Sequence, residues 1–315
     1  MHGLTAMPSA HGSAPIFVGI SGWRYAGWHG EFYPEGLPQR AEMEYACSRF
    51  PSVEINGTFY SLQRKAYFEA WHDATGDDFV FAIKGSRFLT HMKQLNDPAP
   101  ALANFFGQGV LALGDKLGPI LWQFSQRFRY REERFRPFLE LLPGDHEAAA
   151  RLARQHDHRV KDPATEPRTS RAIRHVVEIR HESFLVPGFG ELLRDHDVAL
   201  VVSDNPGIYP VVEEPTTDFM YLRLHGSERM YSGSYGDPAL DYWAQRILAW
   251  NEGREPEDPQ RITEQPAPCT GRRQVFVYFD NDEKTRAPFD ARRLMERLGM
   301  AEDFPAPGSK NGMPR

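Results

Sequence analysis

The chain holds eight short apolar, β-rich runs, and nearly every one ends in a charged or amide side chain just before a loop. The runs fall at residues 16–20, 53–56, 79–84, 120–124, 176–180, 200–204, 221–225 and 275–280. Stretches with helical spacing of apolar residues separate them, at 41–50, 65–71, 96–106, 131–142, 189–195, 238–251 and 290–298. Strands alternating with helices, nearly every strand ending in a polar group, predict the α/β class: a single TIM-like (β/α) barrel with one functional mouth at the carboxyl ends.

A barrel of this kind takes ~250 residues before insertions, and the chain has 315. Two loop insertions account for much of the excess. One, about 146–174, opens as an Ala/Arg-rich helix and turns polar, which predicts an added helix with a flexible connection. The other, about 252–273, holds Pro256, Pro259, Pro266 and Pro268 with little apolar content and reads as a long surface loop. The barrel is expected over 15–299, flanked by disordered tails at 1–14 and 300–315.

Composition narrows the classes further. A hydrophobic share of 41% with 25% charged residues supports a packed core. The apolar runs are strand-sized, well short of the ~20 residues of a spanning helix, so no membrane association is expected. Residues 1–15 have neither a basic start nor an apolar stretch of leader length. The two cysteines, Cys47 and Cys269, lack the spacing of a disulfide framework or a thiolate metal site, which makes a cytoplasmic location the expectation. A net charge of -6 argues against a nucleic-acid-binding surface all round, yet leaves room for a local basic mouth.

Residues two apart on a strand share a face. Glu54 with Asn56, Glu178 with Arg180, and Arg223 with His225 therefore project together into the barrel, while Ile55, Val177, Ile179, Leu222 and Leu224 face the helices. Lys84 and Gln123 follow the same parity. Burying unpaired charges costs several kcal/mol each, so these groups either neutralise one another, a purely structural role, or meet water and a ligand. Around them lie Trp23 after the first strand, Tyr60 after the second, and Arg87 and His91 after the third. The aromatics can stack on a flat ring or simply cap the core. The cations Lys84, Arg180 and Arg223, with His91, His181 and His225, would form a positive field suited to phosphate or carboxylate. A divalent metal on Glu54, Glu178, His181, Asp204, His225 and Asp280 is the alternative, although no ligand-spacing motif supports it and the cations oppose it. P-loop and nucleophile-elbow motifs are missing.

The motifs Gly19-Ile20-Ser21-Gly22-Trp23, Glu54-Ile55-Asn56-Gly57-Thr58-Phe59-Tyr60, Lys84 with Thr90-His91, Glu178-Ile179-Arg180-His181 and Tyr221-Leu222-Arg223-Leu224-His225-Gly226 resemble, in order, the DUF72 (YecE-like) family. The resemblance implies a TIM barrel with no established activity. It also implies that Trp23, Glu54, Asn56, Lys84, His91, Gln123, Glu178, Arg180, His181, Arg223 and His225 occupy the family's characteristic positions. The last strand departs from the family's Tyr-Phe-Asn-Asn, reading Tyr278-Phe279-Asp280-Asn281.

The leading functional expectation is a barrel that binds an anionic, partly aromatic ligand, a nucleotide or nucleic-acid segment, and acts on it as a phosphoester hydrolase. Glu54, Glu178 and His225 would then be acid and base, with Trp23, Asn56, Tyr60, Lys84, His91, Gln123, Arg180, His181, Arg223 and Asn281 binding the ligand. Fold analogy to barrels of the endonuclease IV type adds only a weak warrant. A metal-assisted sugar isomerase or hydrolase and a non-enzymatic scaffold using the 252–273 loop are the alternatives. Oligomeric state is left open.

Overall fold

A computed structural model of the chain describes residues 14–226, 229–267, 271–281 and 285–308. Eight parallel strands close into a barrel in sequence order: β1 (Ile16–Ser21), β2 (Ser52–Ile55), β3 (Val80–Lys84), β4 (Leu117–Gln123), β5 (His175–Glu178), β6 (Val198–Asp204), β7 (Phe219–Leu224) and β8 (Gln274–Phe279). β8 closes on β1 with Phe17 opposite Phe276 and Gly19 opposite Tyr278. All eight sequence-read strands are present, and the fold is the TIM-like α/β barrel expected from them.

The helices are α1 (Glu42–Cys47), α2 (Gly57–Tyr60), α3 (Lys65–Asp73), α4 (Ala99–Gly107), α5 (Glu132–Leu141), α6 (His146–Ala153), α7 (Pro187–Asp195), α8 (Asp237–Asn251) and α9 (Arg286–Arg297). Two cores result from the strand parity. Ile20, Val53, Ile55, Ile83, Trp122, Val177, Ile179, Leu222, Leu224 and Val277 face outward into a large apolar layer shared with the helices. Inside the barrel, Ala82, Leu121, Val176, Ala199, Val201, Phe219, Tyr221, Phe276 and Tyr278 fill the lower levels. Filling by packed side chains rather than a channel is the normal state of an eight-stranded barrel. It leaves only the upper level, at the carboxyl ends, for polar groups.

Both insertions are tied down. Past α6, the amide of Asp157 donates to Asn104 Oδ1 at 2.9 Å, Ala164 to the Gly107 carbonyl at 2.8 Å, and Ile173 to Gly144 at 2.9 Å. Within the second insertion, residues 260–263 bind the helix-free 205–218 connection between β6 and β7. There the buried Glu214 carboxylate accepts from the Ile262 and Thr263 amides at 3.0 and 3.1 Å and from Arg261 at 2.9 Å. The expected carboxyl-terminal tail also starts too early. Residues 301–303 form a helical turn, the Arg292 guanidinium donates to the Phe304 carbonyl at 2.6 Å, and the Gly308 amide donates to Phe32 at 3.1 Å. Residues 1–13 and 309–315, and Cys269, lie outside the described residues. Among the described residues no helix is long and apolar enough to cross a membrane.

Candidate functional site

The upper level of the barrel has a floor built around one arginine. Arg223, fully buried on β7, donates through Nε to Glu54 Oε2 (3.1 Å) and through Nη1 to Glu178 Oε2 (2.8 Å). Its Nη2 donates to Glu54 Oε1 (2.9 Å), Ser21 Oγ (3.0 Å) and Asp280 Oδ2 (2.8 Å). Three carboxylates from β2, β5 and the end of β8 thus converge on a guanidinium whose fork suits carboxylates. Glu54 has no capacity left, because Ser21 and Tyr221 hydroxyls, the latter at 2.6 Å, occupy its other lone pairs. Glu178 takes Gln123 Nε2 at 2.9 Å and Arg180 Nε at 2.9 Å besides Arg223. His225 Nδ1 lies 2.9 Å from Asp280 Oδ2, with its ring fully buried and Tyr231 edge-on to it at 5.5 Å.

The electrostatics follow from this saturation. Burial would raise the Glu178 carboxyl, but Arg180 and Arg223 hold it well below the usual range. Asp280 is likewise lowered against the cost of its burial, chiefly by Arg223 and by the hydrogen bond from His225. The three carboxylates are each held by Arg223 or by Arg223 and Arg180 together, and each oxygen that accepts an arginine proton is unavailable to a metal. Among the described residues no three His, Cys, Asp or Glu side chains group so as to hold a metal ion.

Above the floor opens a cavity of about 770 Å³ lined by Tyr25, Asn56, Phe59, Tyr60, Lys84, Arg87, His91, Met92, Gln123, Arg180, Tyr231 and Asp280. Its wall is organised differently. Each of its cations lies over an aromatic ring: Lys84 Nζ over Phe59 at 4.5 Å, Arg87 over Tyr60 at 5.1 Å, and Arg180 over Tyr209 at 4.5 Å. A ring face attracts the cation without accepting its N–H groups in the way a carboxylate does, so the donors stay available to a ligand. Arg180 is shared, giving one edge to Glu178 and reaching the hydroxyls of Tyr209 and Tyr231 with the other, both at 3.2 Å. For Lys84 Nζ, no hydrogen bond or ion pair is formed among the described residues. Burial and then the Arg223 charge push the Lys84 ammonium down to about 8.

Local sequence explains how the wall is placed. Gly22 turns the chain out of β1 at φ +85°, a left-handed conformation that side chains resist. Its amide donates to the Glu54 carbonyl at 2.8 Å, so the β1 and β2 loops leave together. A Cβ on Gly85 would stand 2.3 Å from the Trp122 ring, so glycine lets the chain after Lys84 pass close over β4. A single π-helical turn, Phe88–Met92, closed by the Lys93 amide to the Phe88 carbonyl at 2.8 Å, carries His91 to the cavity.

The sequence-read site residues separate into three groups. Asn56, Tyr60, Lys84, His91, Gln123 and Arg180 come together around the cavity. Glu54, Glu178, Arg223 and His225 lie beneath it, fully buried and in contact with one another, and Arg223 has no free edge for an anion. The rest stand elsewhere. Trp23 lines an adjoining cavity of about 730 Å³, edge-on to Trp71 at 5.6 Å, that shares Tyr25, Asn56 and Tyr60 with the mouth. His181 accepts the Ser183 amide at 3.0 Å as a turn cap, and the fully buried Asn281 donates to the Gly233 carbonyl and to Asp290, both at 2.8 Å, as a strut. His91 adds no positive charge, because burial followed by Arg180 and Lys84 pulls it down to about 4.

Sequence reasoning left Tyr231, Tyr209 and Ser21 out of the site, and named Asp280 as a departure from the family pattern and as a ligand of the alternative metal site, not as a partner of Arg223. Asp280 carried a signal, since it directly follows β8 with the same parity as Tyr278, which stands opposite Arg223 on β7. Tyr231 carried none: it comes from an irregular loop and sits at φ 59°, a strained conformation for a tyrosine.

Fold and site define a class: a TIM-type barrel with an ion-paired floor beneath a cavity walled by aromatic-backed cations. The chain belongs to the DUF72 family, whose description is "Protein of unknown function DUF72", matching it over residues 17–312. It is similar to the UPF0759 protein YunF of Bacillus subtilis, 24% identical over 93% of this chain and 98% of that one. It is also similar to the UPF0759 protein YecE of Escherichia coli K12, 28% identical over 41% of this chain and 45% of that one. A solved DUF72 family protein from Thermotoga maritima superposes with a TM-score of 0.66 at 24% identity, covering 90% of this chain and 99% of that one. One from Enterococcus faecalis gives 0.62 at 18% identity, covering 90% and 95%. These structural likenesses show the fold.

Proposed function

We propose that the protein binds an anionic ligand carrying a flat ring, of the nucleotide or nucleic-acid-segment kind, at the carboxyl-end mouth. The observation that carries this reading is Lys84: a buried ammonium aimed into the cavity, with every floor carboxylate already engaged by arginine. Placing a cation there costs stability, and an arriving phosphate or carboxylate would relieve that cost. Arg180 and Arg87 flank it, neutral His91 and Asn56 offer hydrogen bonds, and Tyr25, Tyr60 and Tyr231 offer ring faces. In a phosphoester hydrolase the reading gives the roles nearest the ligand to Lys84 of the wall and Asp280 of the floor, which both reach the cavity.

Titration calorimetry with AMP, ADP and a short single-stranded oligonucleotide tests the reading. Lys84→Ala and Arg180→Ala should each weaken binding at least ~10-fold, in line with the ~1.5–3 kcal/mol of a charge-assisted hydrogen bond. Binding unchanged in both variants, or no binding of any of these anions to the unaltered protein, would overturn it.

A further inference from the structure

We propose that Lys84 is a nucleophilic amine that forms an imine with an aldehyde or ketone bearing a phosphate or carboxylate arm. The inference rests on the anion-binding reading above for the arm, and on the geometry of Lys84 for the chemistry.

Lys84 ends β3 and is 8% exposed, and that exposure is toward the cavity it lines. Lysines that serve structure spend their ammonium on carboxylates or carbonyls. Lys116 does so, donating to the carbonyls of His72 and Thr75 at 2.6 and 2.8 Å. Lys84 makes no such bond among the described residues, and its Nζ is backed only by the Phe59 ring. An amine is nucleophilic only when it is neutral, and desolvation beside another cation is the established physical route to that state near neutral pH. Both conditions hold: the group is buried, and Arg223 lies among its charged neighbours. Asp280, Glu54 and Glu178 oppose the effect from β8, β2 and β5, but each is already engaged by Arg223 or Arg180. On the same wall, Arg180 is a further cation and His91 is uncharged at neutral pH. The balance leaves Lys84 at about 8, so a usable fraction is neutral at physiological pH, against ~0.1% or less for an exposed lysine of pKa ~10.4.

The step balances without a co-reactant. The Nζ lone pair adds to the carbonyl carbon while the C=O electrons move to oxygen, and the proton released by nitrogen passes to that oxygen, giving a carbinolamine. The C–O bond then breaks with a second proton delivered to the hydroxyl. Water leaves, and the nitrogen lone pair closes the C=N bond. Protonated, the imine is a fixed cation that the Asp280, Glu178 and Glu54 carboxylates stabilise from below. The anionic arm falls to Arg180 and Arg87.

The test is reductive trapping. The full chain is pulsed with pyridoxal 5′-phosphate, or with pyridoxal as the control without phosphate, reduced with sodium borohydride, and mapped by peptide mass spectrometry. Lys84 should be labelled at least tenfold faster than the exposed Lys161, with half-maximal labelling near pH 8 and a clear preference for the phosphate form. Lys84→Arg should lose that label while the slow labelling of the exposed Lys161 stays as it is in the unaltered protein. Labelling spread over the surface lysines with Lys84 unfavoured overturns the imine proposal, and AMP binding to the same preparation shows that the anion site survives that failure. Equal labelling of Lys84 by pyridoxal and its phosphate upholds the amine chemistry and overturns the anionic-arm assignment.

Discussion

The floor and the wall of the mouth use the same residue types toward opposite ends. On the floor, Arg223 meets Glu54, Glu178 and Asp280 at 2.8–3.1 Å, and every one of these carboxylates is engaged by an arginine. On the wall, Lys84, Arg87 and Arg180 lie over aromatic rings and keep donors toward the cavity. Buried ion networks of the first kind hold a structure to one arrangement, and removing one partner is far costlier than the pair is worth. Cations of the second kind leave stability unclaimed and are suited to a ligand. The difference implies that charge alone does not mark the functional residues of such a barrel; the state of each charge's hydrogen-bond capacity does.

The comparison breaks most sharply at Arg223. Arg223→Met leaves three buried carboxylates facing one another and should cost about 3–5 kcal/mol, read as a lowered urea midpoint; an unchanged midpoint would show that the floor is not the strut described here. Tyr221→Phe removes one hydrogen bond to Glu54 and should cost about 2 kcal/mol, the scale of a bond to a charged group, with AMP affinity retained. Acid should weaken the floor before the wall. The Glu178 and Asp280 carboxyls are lowered in the folded state, so the stability they confer is complete above their unfolded values and is lost as pH falls through and below them. Thermal melts from pH 6 to pH 2 should show a steep loss below about pH 4.5, flattened in Asp280→Asn. Smallest in stability is Tyr60→Ala. The ring is 63% exposed, so unfolding should shift by less than ~0.5 kcal/mol, while affinity for a ring-bearing anion falls by ~1 kcal/mol or more.

Period-two alternation was enough to place the strands and to sort Glu54, Glu178 and Arg223 inward from Ile55, Val177 and Leu222. What parity could not supply was depth. Glu54 and Lys84 both project inward near strand ends, yet strand tilt and stagger put one beneath Arg223 and the other at the cavity. Parity also ends where strands end. His181 and Asn281, just past β5 and β8, turn into loop chemistry as a cap and a strut. Tyr231 and Tyr209 reach Arg180 from loops whose course depends on tertiary contacts. The carboxylates looked catalytic in sequence because nothing there showed that Ser21, Tyr221, Gln123 and two arginines would use up their oxygens.

The stability of Lys84→Met tests the central claim most directly. A depression from 10.5 to about 8 corresponds to about 3 kcal/mol of strain in holding the charge, at 1.36 kcal/mol per unit. Losing the Phe59 contact returns ~1–2 kcal/mol of that. Because the folded value lies below the unfolded one, the penalty is full below pH 8 and fades as pH rises toward 10.5. Urea unfolding at pH 7 should therefore show Lys84→Met about 1 kcal/mol more stable than the unaltered protein, with the gap closing by pH 10. A variant less stable at pH 7 would mean that Lys84 is a structural ion-pair partner like Arg223, and that the wall is not set apart for a ligand.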